Sequence, residues 1–382
     1  MVQKHCLYLV PGFFGFANLG EIKYFGHVRS FLADRFRQLG LNVQIEVVRT
    51  HPTSSLPKRA SRLAETIATS MRRRAPVHLI GHSSGGLDAR LFASPNVRLP
   101  TDLDVERLAG CVQTVVTVAA PHYGTPVATF FTGLLGQKLL QVLSLSTIYV
   151  LRFGHLPISA LLQLGAIFAR LDNLGVNSAL LDELFDRLLE EFSPGRRRAV
   201  QAFFREVTKD QALLPQLIPE GMDLFNALTR DRQGVRYGSV ITRARPPGFG
   251  STLAAGLDPS AQATHAVFHA LYRLAARWSP AGVPDLSRGQ SRALRRVYRT
   301  LPSARVNDGV VPTRSQVWGE VIHAAQADHL DVLGHFRDPD CVPPHFDWLT
   351  TGSGFNREKF EALWGDVAQF VSARERAVSR RS

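Results

Sequence analysis

Short apolar runs alternate with amphipathic segments in the first part of the chain. Cys6 to Val10 is continuously hydrophobic, as expected of a strand buried on both faces of a parallel sheet. Val43, Ile45 and Val47 alternate with polar residues as in a second strand, and Val77 to Ile80 is a third, mostly apolar run. Two helical patterns separate these strands, with apolar positions at Val28, Phe31, Leu32, Phe36 and Leu39, and at Leu63, Ile67 and Met71. The β-α-β-α-β order predicts a doubly wound, mostly parallel sheet, and the fold class is α/β.

The pattern changes after the strand predicted over Val112 to Ala119. From Val127 to about Leu228 strand signals are absent and helical periodicity dominates. Two uncharged stretches, Leu139 to Leu151 and Phe153 to Ala169, are each shorter than the about 20 residues of a membrane span. We therefore expect buried or interfacial helices there rather than a transmembrane segment.

Strands resume in the last third of the chain. Val235 to Thr242 and Val317 to Ala324 read as strands, Ala304 to Val306 is β-like, and Ala263 to Trp278 reads as a helix. A final amphipathic helix, for which Asn356 is an N-cap candidate, has its apolar face at Phe360, Leu363, Trp364, Val367, Phe370 and Val371. These patterns predict an α/β core of residues 1–126 and 230–382, with a helical cap or lid of residues 127–229 inserted between.

The third strand runs directly into Gly81-His82-Ser83-Ser84-Gly85, and a helix is predicted from Leu87 onwards. A strand, a G-x-S-x-G turn and a helix in this order are what a nucleophile elbow requires. The turn is so tight that its flanking positions can carry almost no side chain, which explains Gly81 and Gly85. The alternative is a glycine-rich turn with a bystander serine, but the flanking elements favour Ser83 as a nucleophile.

A serine hydroxyl needs a base, and the base needs an orienting acid. In α/β-hydrolases the acid and the histidine follow the serine in that order along the chain. Asp308 lies in an Asp-Gly turn after the β-like segment, and His329 follows the last predicted strand. The interval between them leaves room for one strand between two loops. The residues alone leave rivals open, namely His335, His345, Asp328, Asp331, Asp338 and Asp340.

The oxyanion of a tetrahedral intermediate also needs hydrogen-bond donors. The elbow offers the backbone N–H of Ser84, and the loop after the first strand offers a second N–H, which we assign to Phe13. Gly12, in that same loop, lets the backbone approach the substrate closely.

Composition narrows the function classes further. The chain has 382 residues, of which 45% are hydrophobic, and a formal net charge of +13. The arginine excess is scattered, and no aromatic-interleaved basic stripe accompanies it, so nucleic acid is not an expected partner. A solvated basic surface is the simple interpretation; attraction to anionic lipid head groups or acidic substrates is the alternative.

Cysteine content and the start of the chain bear on localisation. Cys6, Cys111 and Cys341 form no disulfide framework, and no signal peptide precedes the first strand. As given, the chain is expected to be cytoplasmic. A secreted protein in trimmed form would have the same sequence features.

These motifs resemble the α/β-hydrolase superfamily, specifically the bacterial true lipases that act on triacylglycerols. Leu9 to Phe13 is similar to that family's Val-His-Gly-Leu oxyanion loop, and Leu79 to Leu87 to its Leu-Ile-Gly-His-Ser-Gln-Gly-Gly elbow. Ala120 to Thr125 is similar to its Thr-Pro-His-Arg-Gly-Ser, and Asn307 to Val311 and His329 to Asp331 to its acid and histidine loops. The resemblance implies a triad of Ser83, Asp308 and His329, with oxyanion donors at Phe13 and Ser84.

The resemblance also raises the question of a structural calcium ion. Members of the family bind calcium through two aspartates, which would correspond to Asp331 and Asp285 here. The family's glutamine four residues beyond the second aspartate is His335 in this chain, and its oxyanion-loop histidine is Pro11. The chemistry is expected to need no cofactor, and calcium is left open.

The expected activity is hydrolysis of carboxylic esters of lipophilic substrates through an acyl-enzyme, as in a lipase or esterase. A phospholipase or acyltransferase with the same triad is the alternative, and a non-catalytic protein that binds lipid or a partner is a third. The apolar residues of the cap, for example Leu139 and Leu143, must pack on the core, line an acyl pocket or contact a lipid surface.

Overall fold

The computed structural model of the protein describes residues 4–13, 24–71, 75–153, 156–169, 178–248, 259–338, 340, 347 and 349–379. Within them the strands are β1 (His5–Val10), β2 (Val43–Val47), β3 (Val77–His82), β4 (Val112–Val118), β5 (Arg236–Arg243) and β6 (Glu320–Gln326). They form one sheet in the order β2-β1-β3-β4-β5-β6, and each neighbouring pair is parallel. The predicted parallel sheet is therefore confirmed.

Helices connect the strands and cover the sheet. They are α1 (Gly26–Gln38), α2 (Leu56–Ser70), α3 (Ser84–Ala93), α4 (Val105–Ala109), α5 (Pro126–Thr132), α6 (Leu134–Phe153), α7 (Ile158–Ala169), α8 (Ser178–Glu190), α9 (Pro194–Lys209), α10 (Leu213–Leu217), α11 (Pro219–Leu228), α12 (Pro259–Ala275), α13 (Arg288–Tyr298) and α14 (Arg357–Ser379). Short 3-10 turns span Thr313–Gln316 and Asp331–Leu333. As predicted, the Asn356 side chain accepts a hydrogen bond from the Lys359 N–H at the start of α14.

Alternate residues of each strand enter two different cores, one on each face of the sheet. Tyr8 and Val10 of β1 pack with α2 and α3, whereas Leu7 and Leu9 pack with α1 and α14. Successive side chains of a strand point to opposite faces, so a strand covered on both sides must be apolar throughout. This requirement explains the continuous hydrophobic run that marks β1 in the sequence.

The helices between β4 and β5 form a third hydrophobic core of their own. Leu139, Leu145, Leu164 and Leu184 are among its buried residues, and α12 contributes Val267 and its neighbours. Helix α12 lies outside the predicted cap segment but shares this core with the inserted helices. The division into residues 127–229 and the remainder stays a prediction. No helix among the described residues is both long enough and apolar enough to cross a membrane.

Two element predictions near the end of the chain need correction. Ala304 to Val306 is not a strand, because the chain turns at residues 304 and 305, where the Val306 N–H donates to the Ser303 carbonyl at 3.3 Å. An isolated antiparallel bridge between Asn307 and Pro312 follows this turn. The last strand begins at Glu320 rather than Val317, since residues 313–316 form a 3-10 turn and Gly319 has a φ of 62°. Apolar composition alone did not reveal these local turns.

Two buried histidines link the first and third strands. His5 Nδ1 lies 3.0 Å from His78 Nε2, and His78 Nδ1 lies 2.9 Å from the Thr114 hydroxyl. Both rings are buried, and burial, followed by the neighbouring His5, lowers the pKa of His78 to about 3. His78 is therefore neutral in the folded protein across the physiological range.

This burial predicts a pH-dependent stability. In the unfolded chain His78 takes up a proton below about pH 6.5, so the unfolded state binds more protons and stability falls as pH drops towards 3. The loss from this group is on the order of 2 kcal/mol between pH 6.5 and pH 5. Urea unfolding of His78→Gln at both pH values should give a shallower dependence than wild type. An unchanged slope would contradict the prediction.

Candidate active site

The turn between β3 and α3 holds Ser83 in a strained conformation at the carboxyl edge of the sheet. Ser83 has φ 55° and ψ −131°, and its N–H donates to the Val118 carbonyl at 2.8 Å. A Cβ at Gly81 would overlap the Gly85 carbonyl, and one at Gly85 would overlap the Val10 carbonyl. A non-glycine residue at positive φ costs of order 1–3 kcal/mol and marks functional sites in particular. The structure thus has the elbow geometry that the sequence predicts.

Asp308 and His329 come together beside this turn. His329 Nδ1 lies 2.8 Å from Asp308 Oδ2, and both side chains are buried. A carboxylate can only accept, so Nδ1 carries the proton and Nε2 is the acceptor. Ser83 and His329 line the same cavity, although no hydrogen bond joins their side chains among the described contacts. Such bonds are often long in enzymes without substrate.

The Asp308 carboxylate is fixed by two loops and a strand end. Its Oδ1 accepts the backbone N–H groups of Val310 and Val311 at 3.0 and 2.7 Å. Its Oδ2 accepts the Thr242 hydroxyl at 2.7 Å and the Gln316 amide at 3.1 Å in addition to His329. Neither Thr242 nor Gln316 is predicted from the sequence as a partner of Asp308. Thr242 could have been noticed as the polar residue at the carboxyl end of β5, whereas Gln316 carries no sequence signal.

The rival acids and bases lie elsewhere. Asp331 Oδ2 accepts from the Asp328 N–H and the Ser353 hydroxyl, at 2.9 and 2.8 Å. Burial raises the pKa of Asp328 to about 6 and that of Asp331 well above its usual range. His335 is buried beyond the 3-10 turn, and within the described residues His329 is the histidine that lines the cavity of Ser83.

The remaining rivals are placed as follows. Asp338 pairs with Arg357 at 2.8 Å, and Asp340 is exposed. His345 lies outside the described residues.

The loop after β1 approaches Ser83 from the other side. An ideal Cβ at Gly12 would lie 2.6 Å from the Ser83 Cβ, so only glycine allows this approach. Phe13 follows and lines the cavity. Ser84 is the first residue of α3, and the first N–H groups of a helix have no partner within the helix. Both predicted oxyanion donors therefore border the serine.

A buried ion pair fixes the base of this loop. Arg59 Nη2 donates to the Pro11 carbonyl at 2.7 Å and pairs with Asp88 at the same distance. Both side chains are fully buried, and burial raises the pKa of Asp88 to about 6 despite the neighbouring guanidinium. Removing one partner of such a pair is strongly destabilising. The hydrogen bond from Arg59 to the Pro11 carbonyl therefore ties the position of the loop after β1 to the stability of the core.

A second chain of buried hydrogen bonds joins the loop after β1 to His329. The Gly12 N–H donates to the Tyr24 hydroxyl at 3.3 Å, and that hydroxyl lies 2.6 Å from His82 Nδ1. His82 Nε2 lies 2.9 Å from the His329 carbonyl, so Nε2 donates and Nδ1 accepts from Tyr24. Burial, followed by the nearby His329, lowers the pKa of His82 well below its usual range and keeps it neutral.

Tyr24→Phe should therefore reduce turnover more than substrate binding. The change deletes the hydroxyl that joins Gly12 to His82 and leaves the ring in place. We expect kcat for a soluble ester to fall about tenfold with KM little changed, since small misplacements of reacting groups are costly. Tyr8→Phe is the matched control, because its buried hydroxyl bonds Ser70 at 2.9 Å away from the site. Equal effects of both variants on kcat would show that Tyr24 has only a general structural role.

The cavity beside Ser83 and His329 is apolar and small. Its other walls are Phe13, Pro121, Thr125, Val127, Ala128, Phe131, Leu140, Leu214, Leu217, Val310 and Val311. Its volume is about 50 Å³, against about 300–1,000 Å³ for typical small-ligand pockets. Helices α5 and α6 supply Phe131 and Leu140, so the inserted helices cover the serine. Leu139 and Leu143 do not reach this cavity and pack in the helical core instead.

The candidate calcium ligands do not fit a cation in this arrangement. Asp331 is buried and already accepts two hydrogen bonds through one oxygen, whereas Asp285 is exposed on the loop before α13. Among the described residues no group of three or more His, Cys, Asp or Glu side chains could hold a metal ion. A hydrogen-bond donor that points at a carboxylate oxygen would repel a cation placed there.

Solved structures of three other proteins are similar to the whole chain. EstA from Clostridium botulinum has a TM-score of 0.52 at 17% identity, with 96% of this chain and 87% of that chain covered. The Staphylococcus hyicus lipase has a TM-score of 0.50 at 14% identity, with coverage of 98% and 97%. A metagenomic carboxyl esterase has a TM-score of 0.50 at 18% identity, with coverage of 97% and 76%.

Sequence comparisons alone give no relative. No model of a known protein family matches the chain, and no curated protein matches it significantly. The likeness to the solved structures therefore rests on the course of the backbone. Together with the six parallel strands and the strained turn at Ser83, it shows that the chain has the α/β-hydrolase fold.

Proposed function

We propose that the protein is a serine hydrolase that cleaves carboxylic esters of lipophilic substrates through an acyl-enzyme. The observation that carries the proposal is the hydrogen-bonded Asp308–His329 pair, which opens onto the same apolar cavity as the strained Ser83. A base held in one tautomer by a buried carboxylate, next to a serine on a strained turn, is the arrangement that nucleophilic acyl transfer needs.

In the acylation step, Ser83 Oγ attacks the ester carbonyl carbon while its proton moves to His329 Nε2. The imidazolium that forms is stabilised by the Asp308 carboxylate, which the hydrogen bonds from Val310, Val311, Thr242 and Gln316 hold in place. The N–H groups of Phe13 and Ser84 stabilise the oxyanion, and each such donor is worth about 2.7–4 kcal/mol of barrier.

Collapse of this intermediate breaks the ester C–O bond, and His329 returns the proton to the departing alcohol. A water molecule then attacks the acyl-enzyme with His329 again as base, which releases the acid and restores Ser83. Every proton transfer is accounted for by these side chains, so we propose that the chemistry needs no cofactor.

The apolar cavity supports an acyl-binding role for its walls. Phe131 and Leu140 lie on the helices that cover the serine, and at about 50 Å³ the cavity has room for only a few water molecules. We propose that α5 and α6 move when a longer acyl chain enters, and thus act as a lid that contacts a lipid surface. Exposed Leu134 at the start of α6 and Ile158 and Leu162 on α7 offer apolar surface for that contact.

A panel of p-nitrophenyl esters of graded chain length tests both the activity and the acyl site. Burying one methylene is worth about 0.8 kcal/mol, so kcat/KM should rise about fourfold per methylene from acetate until the site is full. Leu140→Gln should flatten this rise, whereas Leu224→Gln, at an exposed position of α11, should preserve it.

Two results of the panel would count against the proposal. If no ester were hydrolysed, the proposed activity itself would be wrong. If acetate were preferred and emulsified substrate brought no gain, the inserted helices would be structural only.

A further inference from the structure

Helix α13 and the segment after it carry positive charge that no acidic residue of the same stretch offsets. From residue 286 to residue 307 the sequence contains six arginines and neither aspartate nor glutamate. All six side chains are exposed, namely Arg288, Arg292, Arg295, Arg296, Arg299 and Arg305. Their guanidinium groups make no ion pair or hydrogen bond with any described residue. By contrast, Arg37, Arg62 and Arg187 each pair with a carboxylate of their own helix.

The helix gathers four of these arginines on one side. The first three are spaced by four and three residues, and the fourth lies four residues beyond the second, so all four project from neighbouring positions of one surface. We call them the arginine face: Arg288, Arg292, Arg295 and Arg296. The other side of α13 holds Leu294 and Tyr298, which are buried against β5 and β6. The arginines therefore face solvent together, although the sequence shows them dispersed among other residues.

The fold of α13 does not depend on these charges. A capping box starts the helix, with Ser287 and Gln290 exchanging hydrogen bonds of 3.2 and 2.8 Å between side chain and backbone. Arg288 stands at the first helical position, where the helix dipole disfavours positive charge. Like charges three or four residues apart also repel each other. An anionic partner outside the chain would offset this repulsion.

Helix α13 runs towards the edge of the sheet that carries the candidate active site. Near its start, the Gln290 amide donates to the Gly319 carbonyl at 2.8 Å, one residue before β6 begins. At its end, the Tyr298 hydroxyl lies 3.0 Å from the carbonyls of Ile241 and Ala325, near the carboxyl ends of β5 and β6. An extended surface that contacts α13 along its length would therefore reach this edge of the sheet.

The chemistry of the arginine face fits the head groups of anionic phospholipids. A guanidinium group stays charged and binds phosphate oxygens through paired N–H groups. Clusters of four to eight basic residues on an amphipathic helix are typical of binding to anionic lipids. Nucleic acid offers the same phosphates, but Tyr298, the aromatic residue of α13, is buried and cannot stack on a base. Leu301, exposed just beyond the helix, adds an apolar group suited to lipid.

We propose that the arginine face of α13 is a docking surface for membranes that contain anionic phospholipids. The docking does not depend on the proposed ester hydrolysis, because the arginine face includes no residue of the candidate active site. It also differs from the lipid contact proposed for the exposed apolar residues of α6 and α7, which is not selective for charge. The arginine face adds a preference for negatively charged surfaces.

Sedimentation of the protein with vesicles of phosphatidylcholine that contain about 30% phosphatidylglycerol measures the docking. The test variant carries glutamine, a good helix former, in place of the whole arginine face. Each arginine near an anionic surface strengthens binding about fivefold, so the four changes should weaken binding at least about 100-fold. A control variant loses four exposed arginines elsewhere and should lose less than about fivefold. Its changes are Arg29→Gln, Arg37→Gln, Arg62→Gln and Arg98→Gln.

Salt and lipid composition give a second measurement on the wild-type protein. Because salt screens exposed charges, raising NaCl from about 0.05 to about 0.5 M should release the protein from the anionic vesicles. Vesicles of phosphatidylcholine alone should bind the wild-type protein and the test variant equally weakly. Circular dichroism checks that the variants are folded. If the fourfold variant did not fold, Arg292→Gln with Arg295→Gln, expected to lose about 25-fold, would take its place.

Two results would overturn the docking surface. One is equal binding of the wild-type protein and the folded test variant to the anionic vesicles, which would leave the arginine face a solvated surface only. The other is wild-type binding to duplex DNA, lost in the test variant, without binding to the vesicles, which would assign the face to nucleic acid. Neither result bears on ester hydrolysis, since none of these measurements uses turnover.

Discussion

Ser83→Ala is expected to lose ester hydrolysis by about 10⁴- to 10⁶-fold, because removing the nucleophile of a triad disables the whole unit. The protein should remain folded, since the change deletes one oxygen at a position whose backbone is held by Gly81, Gly85 and the Ser83 N–H bond to Val118. Hydrolysis of p-nitrophenyl butyrate and circular dichroism of the same samples measure both expectations. Ser193→Ala, at an exposed position before α9, is the control.

Covalent labelling locates the nucleophile independently of turnover. A fluorophosphonate should form a bond to the Ser83 oxygen in the wild-type protein and fail to react with Ser83→Ala. Fragmentation of the labelled peptide distinguishes Ser83 from Ser84, whose hydroxyl is buried and makes no hydrogen bond within the described structure. Label on Ser84, or an active Ser83→Ala protein, would rule out the assignment.

The parts of the fold that the sequence predicts well are those fixed by one strong local requirement. β1 must be apolar on both faces, and the elbow must carry glycine at positions 81 and 85, where a side chain would overlap backbone. The segment before Asp308 shows why the prediction fails elsewhere: Ala304-Arg305-Val306 has a β-like sequence, but its residues form a turn. Its conformation depends on bonds to distant segments, such as that from the Ala244 N–H to the Asn307 carbonyl.

The same distinction applies to the candidate site. The sequence pointed to Ser83, Asp308 and His329 because each residue type occurs in a required chain order. Gln316 and Tyr24 support Asp308 and His82 through side-chain bonds whose geometry exists only after folding. Leu140 lines the cavity, whereas Leu139 packs in the helical core. The rotation of α6 about its axis decides which leucine faces the cavity, and the sequence of a leucine-rich helix does not reveal that rotation.

Asp308→Asn is expected to reduce kcat by about 10⁴-fold, the effect that loss of the correct histidine tautomer has in a triad. If the new amide nitrogen faced His329, it would oppose the Nδ1–H and favour protonation of Nε2, which could then no longer accept the Ser83 proton. The other orientation would bring that nitrogen against the Val310 and Val311 N–H groups. Either arrangement leaves unpaired donors and should destabilise the fold by about 1–3 kcal/mol.

Asp331→Asn is the control that distinguishes Asp308 from its nearest rival, because Asp331 is also buried but bonds Asp328 and Ser353 instead of His329.

His329→Ala should be nearly inactive, whereas His335→Ala should lose much less activity. Thr242→Val removes one donor from the Asp308 carboxylate and gives a graded loss if Asp308→Asn fails to fold. Full activity in a folded Asp308→Asn protein, with activity lost in a folded Asp331→Asn protein, would assign the acid to Asp331, even though the bond to His329 is made by Asp308.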